Sequence, residues 1–396
     1  MGLPTDKTLK FLQLHWEDIP ERLLFNASRY PEVDMPWVAQ QIEGRKQAQI
    51  KWPSLVGLES LYYPPRLNRE QASSEQLAQY KSMLLPEGTI SLADLTGGMG
   101  VDSYYFSKRC RQVDYVELDE ELCLLAAHNF QQLEAGNIQC YHKDSMAWIA
   151  ERKAYDVIYI DPARRSQKGR KVSAFEDCTP NLLEHLGLLK NHCRRLIVKA
   201  SPMISIPEAV LQLGNVSEVH VLALQGECKE VLFVLEQAQL AAPVYHCLNL
   251  GSGQPELTFQ DEEELRAFSA TVYCTAIQRF LYEPNAAIMK SGFYNSVACR
   301  YGLKKLARNT HLYTADILIT DFPGRVFEVL SEVKLNARVV ASLIPERKAH
   351  VVSRNYPDTA QNIMQKLKLS EGGTQFIIAT TLGTRPTAFL ANRVIM

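Results

Sequence analysis

At 396 residues the chain is longer than one ordinary domain, so two or three are expected. A hydrophobic fraction of 46% allows large cores, and a formal net charge of -1 excludes a global attraction to nucleic acid or membrane. The nine cysteines are scattered without C-x-x-C pairs or a Cys/His cluster at zinc spacing, which reads as reduced thiols in the cytoplasm and no metal.

The N-terminus, Met1 to Lys7, has no apolar core of a signal peptide, and Asp6 stands where a myristoylation pattern needs a hydroxyl. No apolar run approaches membrane-spanning length, so no membrane partner is expected. Helical spacing of apolar residues predicts helices at Lys7–Leu14, Asp18–Asn26, Met35–Lys51 and Ser73–Leu85, the last opened by a capping box of Ser73 and Gln76. Prolines break the pattern at Pro53 and at Pro64-Pro65. Residues 1–85 are therefore read as a helical N-terminal domain, with Arg45, Lys46 and Lys51 either on a solvated face or against substrate.

Residues 86–240 alternate strand and helix. Strands are predicted at Thr89–Leu95, Gln112–Leu118, Ile138–His142, Tyr155–Ile160, Arg194–Lys199, Glu218–Leu224 and Glu230–Leu235. Helices fall at Glu120–Leu133, Ser145–Arg152, Leu182–Lys190 and Pro207–Leu213. The last two strands follow one another across residues 225–229 and should form a hairpin. Parallel strands closed by an antiparallel hairpin define an α/β, Rossmann-like sheet.

Beyond it, Gln237–Pro255 reads as a linker with the turn Gly251-Ser252-Gly253. Helices are predicted at Glu262–Tyr282, Pro284–Arg308 and Pro357–Leu367. Strands are predicted at Ala315–Thr320, Val326–Val333, Ala349–Val352, Thr374–Thr381 and Thr387–Arg393, which makes a C-terminal α+β unit. From 271 to 396 there are 16 Lys/Arg against 8 Asp/Glu, either a chance fluctuation or the mark of a nucleic-acid-facing module.

The stretch Ile90–Asp119 organises the chain. An apolar run ends on Asp94, Gly97, Gly98 and Gly100 follow, a helix begins near Val101, and a second apolar run ends on Glu117. Strand, glycine turn, helix, strand, acid is half of a nucleotide-binding unit, with Glu117 placed to take the ribose hydroxyls. The turn is D-x-T-x-G-x-G, with Thr96 where a dinucleotide fingerprint has glycine. Asp94 and Asp102 add negative charge where a pyrophosphate needs positive charge, which suits a cationic ligand. After the third strand, Asp144-Ser145 either meets an adenine amine or caps the next helix. After the fourth, Asp161-Pro162-Ala163-Arg164 lies where ligands bind beyond the carboxyl ends of strands. Asp161 is placed to orient or deprotonate a nitrogen nucleophile, and Arg164 to hold a base edge or phosphate. The basic run Arg165, Lys168, Arg170 and Lys171 is either solvated or in contact with phosphate. No cysteine adjoins the Asp161 loop, which disfavours covalent C5-pyrimidine chemistry.

The D-x-T-x-G-x-G turn resembles motif I of class I methyltransferases, whose ligand is S-adenosylmethionine. By that resemblance Asp94, Thr96, Gly97, Gly98, Gly100, Glu117, Asp144 and Ser145 bind the cofactor, and Asp161, Pro162 and Arg164 form the catalytic loop. Residues 70–75, 94–100, 161–165, Tyr282-Glu283-Pro284-Asn285-Ala286 and Ser353-Arg354-Asn355-Tyr356-Pro357 occur in the order of a bacterial family of class I RNA methyltransferases with ferredoxin-like and THUMP-like C-terminal domains. The resemblance implies a methyltransferase domain at 86–240, a helical linker and ferredoxin-like segment at 241–325, and a THUMP-like domain at 326–396. It also implies structured RNA, tRNA or rRNA, as partner, methylated on a base nitrogen. A protein or small-molecule methyltransferase, and an RNA-binding protein with a relic cofactor fold, remain as alternatives.

Overall fold

The computed structural model describes residues 4–58, 60–164, 175–237 and 242–395. The chain divides into two compact units, residues 1–216 with 233–239, and residues 217–232 with 240–396.

The first unit begins with five helices: α1 (Asp6–Leu14), α2 (Pro20–Phe25), α3 (Met35–Lys51), α4 (Arg66–Gln71) and α5 (Glu75–Met83). The cap of α5 is Ser74, whose side chain accepts from Leu77 N–H, and not Ser73. Ser73 is used elsewhere, as described below. Then follow β1 (Ser91–Asp94), α6 (Val101–Ser107), β2 (Gln112–Glu117), α7 (Glu120–Gln132), β3 (Ile138–His142), α8 (Ser145–Ala150) and β4 (Tyr155–Ile160). Two short strands, β5 (Ala163–Arg164) and β6 (Cys178–Thr179), pair with each other ahead of α9 (Leu182–Asn191), β7 (Cys193–Ala200) and α10 (Ile206–Leu213). The strand order is β7-β4-β1-β2-β3, all parallel, so β1 and β4 are adjacent and their carboxyl ends open on one edge.

Strands buried on both faces need near-continuous apolar runs. Leu92, Val113, Val157 and Ile197 provide one core cluster with Phe106 of α6. The N-terminal helices join the same unit through Ala48, Trp52 and Tyr63, which pack against Val101 and Tyr105 of α6.

The second unit contains β8 (Val216–Leu224), β9 (Glu227–Glu236), whose last residues fall in the first unit, β10 (Val244–Leu250) and β11 (Leu257–Phe259). Next come α11 (Asp261–Ala270), β12 (Phe280–Pro284), α12 (Ala286–Ser291), α13 (Tyr294–Arg300), β13 (Lys304–Ala307), β14 (Thr310–Ala315) and β15 (Gly324–Glu332). The chain closes with α14 (Ala337–Leu343), β16 (His350–Arg354), α15 (Ala360–Leu367), β17 (Gln375–Leu382) and β18 (Arg385–Val394). β8 and β9 are neighbours, as the expected hairpin requires. The seven-stranded sheet has the order β13-β14-β12-β15-β18-β17-β16.

Four expectations fail here. The helix expected over Pro284–Arg308 is two short helices, α12 and α13, followed by the strand β13. The linker at Gln237–Pro255 contains β10, which pairs with β8 in parallel over seven residues, Val244–Leu250 against Glu218–Leu224. The helix expected over Glu262–Tyr282 stops at Ala270, and Phe280–Pro284 is a wholly buried central strand. The strand expected at Ala315–Thr320 lies earlier, at Thr310–Ala315. The Tyr282 hydroxyl donates to Ile317 C=O at 2.6 Å and accepts from Ile319 N–H at 3.0 Å, which holds that segment outside the ladder. Among the described residues no helix is long and apolar enough to cross a membrane.

Candidate methyl-transfer site

The loops after β1, β2 and β4 are tied to one another by hydrogen bonds. Gly97 N–H donates to Val116 C=O at 3.0 Å. Gly98 N–H donates to Glu117 Oε2 at 2.7 Å, and Asp119 N–H donates to Oε1 of the same carboxylate at 2.9 Å. Asp161 N–H donates to Thr96 Oγ1 at 2.7 Å, which explains the hydroxyl where a dinucleotide turn has glycine. The half-exposed carboxylate of Glu117 is thereby fixed at the tip of β2, beside the glycine turn.

The three glycines of the turn differ in purpose. A Cβ on Gly97 would meet the Tyr115 ring at 2.1 Å, and one on Gly100 the Phe130 ring at 2.5 Å, so both are needed for packing. A Cβ on Gly98 would find nothing nearer than Thr96 C=O at 3.8 Å, while φ is +55°. Gly98 therefore leaves open space above a left-handed turn. An open backbone next to a fixed carboxylate fits a ribose and the chain that extends from it, so these residues suit the nucleoside cofactor.

The electrostatics differ from those expected. Asp94 is buried, accepting from Thr96 N–H at 3.1 Å and from the Ser103 hydroxyl at 2.6 Å. Burial pushes its carboxyl up to about 7, with the Asp102 charge adding to the rise. Asp102 is also enclosed, but the Lys81 ammonium, 2.8 Å away and fully buried, together with Lys199, outweighs that burial and holds the carboxyl below its usual range. Ser73 and Tyr159 each donate to Asp102 at 2.9 Å. Asp94 and Asp102 therefore shape the turn and neutralise a buried lysine, and present no free negative charge to a ligand. Lys81, Ser73 and Tyr159 were not foreseen. Ser73 sits in the 70–75 segment, and its position beside a buried acid is visible only once α5 packs on α6.

Asp161 pairs with Lys199 of β7, a residue that sequence reasoning left without a role. The ammonium fixes one oxygen of the carboxylate. Asp144 is half of a cap: its Oδ1 accepts from Ala147 N–H at 2.9 Å at the start of α8, and the side chain is exposed. Ser145 is the first residue of that helix. Pro162 follows buried, and the backbone of Arg164 lies in β5 against Cys178. Arg165, Lys168, Arg170 and Lys171 lie outside the described residues.

The two C-terminal segments singled out by resemblance meet in the second unit. Glu283 is buried, and its two oxygens accept from Arg325 Nε and Arg354 Nε, each at 2.8 Å. Asn285 reads N-terminal amides of α12 and also donates to Gln254 at 3.0 Å. The 353–357 segment lines an open groove of about 850 Å³ with Arg325, Asp358 and Thr381.

A parallel sheet ordered β7-β4-β1-β2-β3, with a glycine turn after β1 and an acid at the tip of β2, is the class I methyltransferase fold. Residues 280–323 match a ferredoxin-like domain and residues 324–393 a THUMP domain-like model. A crystal structure of a candidate methyltransferase from Porphyromonas gingivalis W83 is 31% identical, covers 98% of both chains and superposes with a TM-score of 0.85. The chain belongs to this family of methyltransferases with ferredoxin-like and THUMP-like C-terminal domains. An rRNA methylase from Streptococcus thermophilus is 13% identical over 41% of this chain and 96% of its own, with a TM-score of 0.31. A candidate methyltransferase from Streptococcus mutans, solved with SAH, is 15% identical over the same shares with the same score. No curated protein matches the chain.

Proposed function

We propose that this protein transfers the methyl group of S-adenosylmethionine to a base nitrogen of structured RNA, tRNA or rRNA, in the cytoplasm. The observation that carries the reading is the Glu117 carboxylate, locked by Gly98 N–H and Asp119 N–H beside an open left-handed turn. Glu117 takes the ribose hydroxyls with its remaining lone pairs. Gly97, Gly98 and Gly100 give the backbone its approach, Asp94 and Thr96 hold the turn, and Asp144 with Ser145 meets the adenine.

When bound, the cofactor supplies an electrophilic methyl on a sulfonium, which needs little activation. The protein's share is alignment and exclusion of water. Asp161, oriented by Lys199, accepts a hydrogen bond from the attacking nitrogen and holds its lone pair toward the methyl. One oxygen of Asp161 is already held by the Lys199 ammonium, so its main work is orientation. Pro162 stiffens the loop, Arg164 holds base or phosphate, and Arg165, Lys168, Arg170 and Lys171 contact the RNA backbone.

RNA is favoured over a protein target by the THUMP-like match, by the basic surplus, and by exposed Lys334, Arg338, Arg347 and Lys348 around α14. Some of the eight acids already counted against that surplus pair with its bases, as at Arg279–Glu328 and Arg385–Glu332. Mass spectrometry of nucleosides from a strain lacking the protein, against its parent, tests the reading. A single missing methylated base identifies the target, and unchanged RNA nucleosides favour a protein or small-molecule substrate.

A further inference from the structure

We propose that the second unit holds a divalent transition-metal site of the zinc type on one face of β8, β10 and β11. Glu218 and His220 stand two residues apart on β8, so both side chains leave the same face of the strand. His220 pairs in register with His246 of β10, and the two rings stack with centroids 4.5 Å apart and planes within 12°. One donor atom from each of Glu218, His220 and His246 falls within 4.8 Å of the others. Two imidazoles and a carboxylate at that spacing are the donor set that zinc and its neighbours take.

The surroundings complete the set. Glu256, which leads into β11, bonds His246 Nδ1 through Oε1 at 2.7 Å. Register places Glu256 two residues before Thr258, the partner of His246, so it lies on the same face. A carboxylate on Nδ1 fixes the imidazole tautomer and leaves Nε2 as the donor, the usual support of a metal-bound histidine. Glu218 Oε2 lies 2.9 Å from His220 Nε2. A metal ion would replace that hydrogen bond: the imidazole proton moves to Nδ1 by exchange with solvent, and Nε2 and the carboxylate oxygen both become ligands. His220 is 2% exposed, whereas Glu218 and His246 are half-buried, which leaves ion access from one side and a position for water. Sequence spacing conceals the site, because the ligands converge through strand pairing between residues 218 and 256. A bound ion would staple β10 and β11, in the stretch that reads as a linker, to β8.

The full chain, stripped with chelator, is titrated with zinc alone and its bound metal counted after gel filtration. One equivalent per chain is expected, with melting temperature rising on zinc addition. His246→Gln should weaken binding at least 100-fold, and Glu256→Gln about 10- to 100-fold. Glu218→Gln provides a second ligand variant should His246→Gln fail to fold, which melting of the metal-free proteins reveals. Cobalt substitution separates this site from the nine thiols, since a thiolate charge-transfer band would place the metal on cysteine. Less than one equivalent in the wild type, equal zinc affinity in wild type and Glu218→Gln, or a thiolate band would overturn the proposal.

Discussion

Glu117→Gln isolates the ribose acceptor from the shape of the site. The native carboxylate already accepts from Gly98 N–H at 2.7 Å and from Asp119 N–H at 2.9 Å, one on each oxygen. An amide presents an NH2 group to one of those two donors whichever way it is turned, so one backbone N–H loses its acceptor. The ribose hydroxyls also exchange a charged acceptor for a neutral one. Charge-assisted bonds are about twice as strong as neutral ones, and an orphaned donor costs about 1–3 kcal/mol. The combined loss in cofactor affinity is about 2–3 kcal/mol, a weakening of about 30- to 150-fold. Calorimetry with S-adenosylhomocysteine on the full chain measures it. Circular dichroism checks that the sheet persists, as expected for a half-exposed loop acid. Binding within twofold of wild type would refute the placement of the nucleoside at Glu117.

Further outcomes follow from the same geometry. Asp161→Ala should leave cofactor affinity nearly intact and cut single-turnover methyl transfer by about 10² or more; Lys199→Met, which frees Asp161 from its ion pair, should lower the same rate without weakening cofactor binding. Asp94, with its folded carboxyl near 7 and an unfolded value of 3.8, binds more protons when folded across that window, so its contribution to stability falls as pH rises through it. Between pH 6 and 8 the loss is about 1.4 kcal/mol, and denaturant titrations of Asp94→Asn should show it removed. Replacing Lys334, Arg338, Arg347 and Lys348 by Gln should lower the salt dependence of RNA binding by about 0.7–0.9 in log-log slope per lost phosphate contact, and an unchanged slope would clear that face of RNA.

The sheet of the first unit was legible because its strands are short apolar runs cut by Gly, Asp and Pro, and the D-x-T-x-G-x-G turn fixed their register. The second unit was less legible. Phe280–Pro284 is buried on both faces, so it lacks the alternation that separates strand from helix. Val244–Leu250 sits between Pro243 and Gly251, and turn residues on both sides drew the whole stretch into a linker. At the site, the positions of Asp94, Thr96, Glu117 and Asp161 followed from strand ends, but the partners of the acids did not. Lys81 and Lys199 are remote in sequence from the acids they neutralise, Asp102 and Asp161, and only packing brings them there.

The most direct measurement is transfer of labelled methyl from S-adenosylmethionine by the purified full chain to RNA from a strain that lacks it. The account predicts label on one base nitrogen in that RNA, none in RNA from the parent strain, and loss of transfer with Asp161→Ala. Label that enters protein or small molecules while the unmodified RNA stays unlabelled would contradict it.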